Sequence, residues 1–188
     1  MATTAISIDD YLKKIPDPDV EYIDGQLRER PVVLSVHGLL QSEICIWFGA
    51  HRKDWKVRSA VEVRTQVSPT HVFLPDVVID HARKWPPVLT QPPLIVIEIL
   101  SPGDSFMELE QKCVEYWEMG IRNVWVINPQ RRTGRVWHEG AWIESKRFAV
   151  DVRDLSGSGV ALRRTGQRRS RRLVYFGWPC PLRASAGH

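Results

Sequence analysis

The 188-residue sequence predicts an α/β fold built on a mixed sheet. Three observations carry that expectation. Helical and strand-like segments follow one another as helix, three strands, helix, strand, with extra hairpins around them. Two of the strands, 73–80 and 94–100, are short and combine aliphatic with acidic residues. No segment repeats, so a solenoid or propeller is excluded.

Taken in order, Ser7 is placed to cap a short helix over 8–15, which stops before Pro16 and Pro18. Residues 21–27 read as a strand running into a tight turn at Asp24-Gly25, with 28–34 as its return strand. Ser35 is expected to cap a helix through about residue 50, with Leu40, Ile44, Trp47 and Phe48 at helical spacing. Residues 57–67 alternate as a strand, and 73–80 follow after Ser68-Pro69-Thr70. A proline-rich loop leads into 94–100. A helix then runs over about 104–119, where Gly120 supplies the C-cap. A strand over 121–127 ends at Asn128-Pro129, and 133–138 and 141–145 flank a turn at Glu139-Gly140. Trp47, Trp117 and Trp125 fall on apolar faces, and Trp137 and Trp142 sit on the late hairpin.

Hydrophobic content of 43% and charged content of 26% are those of a soluble globular protein. No apolar run is long enough for a membrane span, and the polar N-terminus is unlike a signal peptide. Cys45, Cys113 and Cys180 lack metal-ligand spacing and read as reduced thiols, consistent with a cytoplasmic protein. The net charge of +4 is unevenly distributed. Seven arginines and no acidic residue lie in 161–188, leaving −3 on residues 1–160. The expected organisation is a folded domain over 1–160 and an Arg-rich, disordered tail over 161–188.

The chemistry concentrates on Asp76 and Glu98. A glutamate inside an aliphatic run is costly to bury unless a cation or strong donors compensate it. If the two strands pair antiparallel, the start of one lies beside the end of the other. Both carboxylates then converge on a position suited to Mg²⁺, which takes oxygen ligands and keeps several waters.

Tyr22-Ile23-Asp24-Gly25, His37 opening a helix, Pro75-Asp76-Val77-Val78, Glu98-Ile99-Leu100-Ser101-Pro102, Lys112 with Tyr116, and Val124 to Pro129 occur in that order. The ordered set resembles the Uma-two restriction endonuclease-like family, within the PD-(D/E)xK nuclease superfamily, over residues 5–150. The resemblance implies an αβββαβ core with a mixed sheet flanked by helices and extra β-hairpins. It also implies cleavage of a DNA phosphodiester with Mg²⁺, or Mn²⁺ in its place, in a bacterial cytoplasm; RNA is not excluded as a substrate.

In the same resemblance Asp76 and Glu98 are the metal ligands and catalytic carboxylates, with the Ile99 carbonyl as a third donor. Glu21 matches a glutamate before the Ile-Asp-Gly turn and ligates metal through water. The lysine that the superfamily carries two residues after the glutamate is Leu100 here. Lys112, on the following helix, takes its place. With Leu109 at zero and about 100° per residue, Tyr116 falls near about −20°, Cys113 near about +40° and Lys112 near about −60°. Lys112 thus borders the apolar stripe, close enough to the sheet for its ammonium to reach the carboxylates. There it orients or deprotonates water, or stabilises the pentacovalent phosphate. Its ordinary role is an ion pair with Glu108 on the same helix.

Glu62 is a further carboxylate on the preceding strand, and His37 opens a helix where it could touch a phosphate. A homodimer would suit double-strand cleavage. The alternative function is a catalytically inactive nuclease-fold protein that binds nucleic acid or protein.

Overall fold

The structure is a computed structural model describing residues 5–14, 19–30, 34–138, 140–145, 147–151 and 173–177. The chain opens with helix α1 (Ile8–Lys13), capped by Ser7, whose hydroxyl accepts from the Asp10 N–H at 3.1 Å. The hairpin β1 (Glu21–Ile23) and β2 (Gln26–Arg28) turns at Asp24 and Gly25, whose φ values of 47° and 82° are those of a type I′ turn. A Cβ on Gly25 would also meet the Ala5 Cβ at 3.0 Å. The return strand, expected over 28–34, runs over Gln26–Arg28 instead, and residues 31–33 of that expectation lie outside the described residues. All three residues of β2 are exposed, with no apolar face to extend it.

Helix α2 (Ser35–Ala50) has the expected extent, but Leu34 rather than Ser35 is its N-cap, and no side chain caps it. A short turn of helix, α3 (Arg52–Trp55), leads to the sheets.

The strand expected over 57–67 is two strands, β3 (Val57–Val61) and β4 (Thr65–Ser68). They separate at Glu62, whose φ of 54° bends the chain out of the ladder. The strand expected over 73–80 is likewise divided into β5 (His71–Phe73) and β6 (Val77–His81). The Glu62 N–H donates to the Pro75 carbonyl at 3.1 Å, so the two bends lie side by side. This paired bend hands the chain from one sheet to another. Strands β7 (Ile95–Ile99), β8 (Val124–Asn128), β9 (Thr133–His138) and β10 (Ala141–Ser145) complete the main sheet.

The small sheet runs β2-β1-β5-β4 and the large one β10-β9-β8-β7-β6-β3. In the large sheet β7 and β8 are parallel, joined by helix α4 (Phe106–Met119), and every other pair is antiparallel. The expected mixed α/β architecture with its αβββαβ core is therefore what the chain forms: α2, β3, β6, β7, α4, β8.

Two cores sandwich the large sheet. Leu40, Ile44 and Phe48 of α2 pack on Val77, Ile79, Ile95, Ile97 and Ile99. On the opposite face Leu109, Cys113 and Tyr116 of α4 pack on Val96, Val124 and Val126. The period-two alternation of β7 sends Ile97 and Ile99 to α2, and Val96 and Glu98 to α4. Helix α4 closes at Gly120, whose φ of 109° an L side chain rarely adopts.

Trp125 and Trp137 are buried, while Trp47, Trp117 and Trp142 are partly covered. Cys45 and Cys113 are free thiols, and Cys180 lies outside the described residues. Most of the expected tail lies outside them too. Its described stretch, β12 (Leu173–Gly177), pairs antiparallel with β11 (Arg147–Asp151). No helix among the described residues is long and apolar enough to cross a membrane.

Candidate active site

The β6–β7 ladder places Val77 opposite Ile97, and one further step along that register sets Asp76 across from Glu98. Asp76 is the last residue of the bend between the sheets; Glu98 is inside the central strand. Both open onto a cavity of about 390 Å³ whose wall also carries Glu21, Arg30, His37 and Lys112. The four residues expected from sequence to form a site, Glu21, Asp76, Glu98 and Lys112, are thus brought to one cavity from β1, the bend before β6, β7 and α4.

Asp76 is surrounded by donors. The Ile99 N–H donates to its Oδ2 at 2.6 Å, His37 Nε2 lies 3.1 Å from the same oxygen, and Arg30 Nη2 pairs with Oδ1. The Gln41 amide holds its backbone carbonyl at 3.1 Å. Burial alone would raise the Asp76 pKa. The hydrogen bond from His37 and the Arg30 guanidinium outweigh it and hold the carboxyl below the usual aspartate value. His37 responds in kind: burial disfavours its cation, but the bond to Asp76 leaves its pKa raised.

Glu98 is in the opposite condition. The Tyr116 hydroxyl donates to its Oε1 at 2.6 Å, and α4 otherwise walls it with Leu109 and Cys113. Burial, and secondarily the charges of Asp76 and Glu21, push its pKa up from 4.5 to about 7, although Lys112 pulls the other way. Tyr116 itself keeps its proton, since burial and the Glu98 charge raise its pKa well above the ordinary phenol value.

Lys112 points where the helical wheel sends it. Its Nζ donates to Glu21 Oε1 at 2.6 Å and lies 5.2 Å from the centre of the Phe73 ring. Glu108, the ordinary partner on the same helix, pairs instead with Arg28 at 3.2 Å. Burial works against the ammonium, but Glu98 and Glu21 together raise the Lys112 pKa, so the group is a cation at neutral pH. Glu21 Oε1 also accepts the Leu74 N–H at 3.2 Å, which ties β1 to the bend. Its observed role is to seat Lys112 beside the carboxylates. Arg64 lies outside the cavity and pairs with Asp19 at 2.5 Å.

Arg30 and Tyr116 complete the site. Arg30 falls in the range expected as the return strand, but it follows β2 in the connection to α2, and only the folded chain brings it to Asp76 and Glu62. The role of Tyr116 was more accessible. It lies on the stripe of α4 one turn beyond Lys112, and a buried phenol needs a polar partner. Glu62, weighed as an outlying carboxylate, holds Arg30 Nη1 at 2.8 Å.

These residues can be tested for fit to a divalent cation. Among the described residues no group of three or more His, Cys, Asp or Glu side chains forms a metal cage. A hard cation of the Mg²⁺ kind does not require one; one or two carboxylates, backbone oxygen and water suffice. Burial, with the nearby charges of Asp76 and Glu21, raises the proton affinity of Glu98 despite Lys112, and a cation shared with Asp76 would favour its charged form. The oxygen donors fit such an ion, with Arg30 as its rival for Asp76.

Comparison with known proteins bears on the family and the fold. The Uma2 family, described as "Putative restriction endonuclease", matches residues 8–157. The curated proteins contain no match. Among solved structures, a crystal structure described as "a putative nuclease belonging to DUF820" from Anabaena variabilis ATCC 29413 is similar in fold. Its TM-score is 0.66 at 22% identity, covering 80% of this chain and 97% of that one.

Proposed function

The chain belongs to the Uma2 family, and from that membership we propose that it is a metal-dependent nuclease hydrolysing DNA phosphodiester bonds at the Asp76–Glu98 cavity. The observation that carries the reading is the cross-strand carboxylate pair. One member is held in its ionised form by its donors, and the other has its pKa pushed up to about 7, chiefly by burial. Asp76 and Glu98 would hold the cation. A divalent ion of the Mg²⁺ or Mn²⁺ kind, when bound, supplies Lewis acidity towards water and a phosphoryl oxygen.

The remaining residues define the rest of the chemistry. In the hydrolysis a water oxygen bonds to phosphorus, one P–O ester bond breaks, and the leaving oxygen takes up a proton. Lys112 Nζ is protonated and so cannot accept the proton of the attacking water in this state. Its chemistry is that of a donor, orienting the water or bonding an oxygen of the five-coordinate phosphorus. Glu21 fixes that donor. Tyr116 orients Glu98 and keeps its own proton throughout.

A second reading has an observation in its favour. Arg30 and Lys112 already neutralise much of the site internally, as they would in a nuclease fold that binds without cutting.

The deciding experiment is cleavage of plasmid and single-stranded DNA, with an RNA of the same sequence alongside, in Mg²⁺ and Mn²⁺. Cutting that needs metal, and that falls by about a hundredfold or more in Asp76→Ala and Glu98→Ala, supports the nuclease. No cutting in any metal, with no heat of metal binding, selects the non-catalytic protein.

A further inference from the structure

Arg30 belongs to no helix or strand, yet it makes the most connected ion pair of the cavity. Its guanidinium bridges two carboxylates: Nη2 meets the buried Asp76, and Nη1 meets Glu62 at 2.8 Å. The side chain is 20% exposed, Asp76 3% and Glu62 42%, so Arg30 links a buried carboxylate of the cavity to an exposed one outside its lining. The outer anchor is built at some cost. Glu62 adopts a φ of 54°, which an L residue other than glycine takes up only under constraint. That conformation bends the chain between β3 and β4 and sets Glu62 beside Arg30.

From this arrangement we propose that Arg30 has two stations: it neutralises Asp76 while the cavity lacks a cation, and it swings to the substrate phosphate once a cation takes the carboxylates. The inference rests on the metal-dependent nuclease reading of the same cavity.

The argument is electrostatic and geometric. Arg30 and a divalent ion cannot both hold Asp76 closely, because two cations on one carboxylate repel at short range. Glu62 lies further out and is no rival for the metal, so it retains one side of the guanidinium as the other is released. A planar fork anchored at one edge presents its free edge to the cavity, and that edge matches two oxygens of a phosphodiester. Lys112 cannot make the same two-oxygen contact, since its ammonium is a point donor, held by Glu21, and not a planar fork.

The test measures metal and DNA binding rather than turnover, on the full chain. Mn²⁺ is titrated by calorimetry, and a fluorescent DNA duplex is titrated in Ca²⁺. In Arg30→Gln the Mn²⁺ affinity is expected to rise about tenfold, because Asp76 loses its competing cation. DNA affinity is expected to fall about tenfold, because a phosphate contact is lost.

Two further variants separate the exchange from general charge and from damage. Arg28→Gln makes the same charge change on the cavity rim, where Arg28 is 51% exposed, and should move Mn²⁺ affinity less than about twofold. Glu62→Gln releases the outer anchor and leaves Arg30 to Asp76 alone, so Mn²⁺ affinity should fall. A rise in Arg30→Gln together with a fall in Glu62→Gln supports the exchange, and the reverse pair of signs overturns it. Equal Mn²⁺ affinity in the wild type and Arg30→Gln overturns it while leaving the metal site standing, as does a fall in both variants. Unchanged DNA affinity in Arg30→Gln overturns the second station. If neither the wild type nor Arg30→Gln binds Mn²⁺, the metal-site reading itself fails, and the proposal with it.

Discussion

Asp76 and Glu98 stand across from each other at one end of the sheet and are almost equally buried, at 2% and 6% exposure, yet their proton affinities move in opposite directions. Burial therefore does not decide the difference; the donors do. The bend that ends in Asp76 lies against α2 and the connection before it, which supply His37, Gln41 and Arg30, and the adjacent strand adds the Ile99 N–H. The face of β7 that carries Glu98 lies against α4, whose stripe is apolar except for the Tyr116 hydroxyl and the bordering Lys112. The same sheet end thus holds one carboxylate that is fully compensated and one that is not. Any cation entering between them gains most from the second.

The largest break in this comparison comes from Asp76→Ala. It removes one carboxylate, leaves His37 Nε2 and the Ile99 N–H without their acceptor, and leaves Arg30 to Glu62 alone. Removing one partner of such a buried set costs roughly 3–5 kcal/mol. For a chain of this length that amounts to a fall in Tm of roughly 6–20 °C. Thermal denaturation by circular dichroism measures it. A loss within about 1 kcal/mol would mean that the three donors find other partners and that the compensation of Asp76 is not structural.

Glu98→Gln is expected to act with the opposite sign. The pKa of Glu98 is raised in the folded chain, from 4.5 to about 7, so the native state holds the proton more tightly than the unfolded one. The stability this contributes is fully present below the unfolded value of 4.5 and is lost as pH climbs to about 7 and beyond. A glutamine carries no charge to lose. Without metal, Glu98→Gln should match the wild type near about pH 4 and exceed it in Tm by several degrees near about pH 8. Mn²⁺ should then stabilise the wild type at the higher pH and leave the variant unchanged. Equal melting curves at the higher pH would show that Lys112 already balances Glu98, and the contrast with Asp76 would disappear.

How much of this was written in the sequence differs between the two carboxylates. The Glu98 side was largely legible. An acidic residue inside an aliphatic strand, a stripe on α4 and a lysine at its border follow from periods of 2 and 3.6, and these held. Helix α2 and the β9–β10 hairpin were also found at their observed bounds. The Asp76 side was legible only as a carboxylate after a proline. Arg30 sits in a connection with no period, and its contact with Asp76 crosses 46 positions of chain. The division of the strands at 62–64 and 74–76 was missed for a related reason. Val63 and Leu74 keep the apolar pattern running through the bends, so hydrophobicity alone continues the strand where a positive φ and a change of sheet interrupt it.

The finest test of the comparison is Tyr116→Phe, which removes the hydroxyl that donates to Glu98 at 2.6 Å and preserves the packing of the ring. Because Tyr116 keeps its proton, it stabilises the charged form of Glu98, and its loss should push the Glu98 pKa above about 7. Stability should fall by about 1 kcal/mol, the net worth of one buried hydrogen bond, and more at alkaline than at acid pH. The decline of metal-free stability should extend to higher pH in Tyr116→Phe than in the wild type, and Mn²⁺ should narrow the difference. Asp76 retains its three donors in this variant, so its own acid titration should not move. A shift in both titrations would mean that the two carboxylates share one network. A shift confined to Glu98 would mean that each is governed by the side chains that approach it from its own side of the cavity.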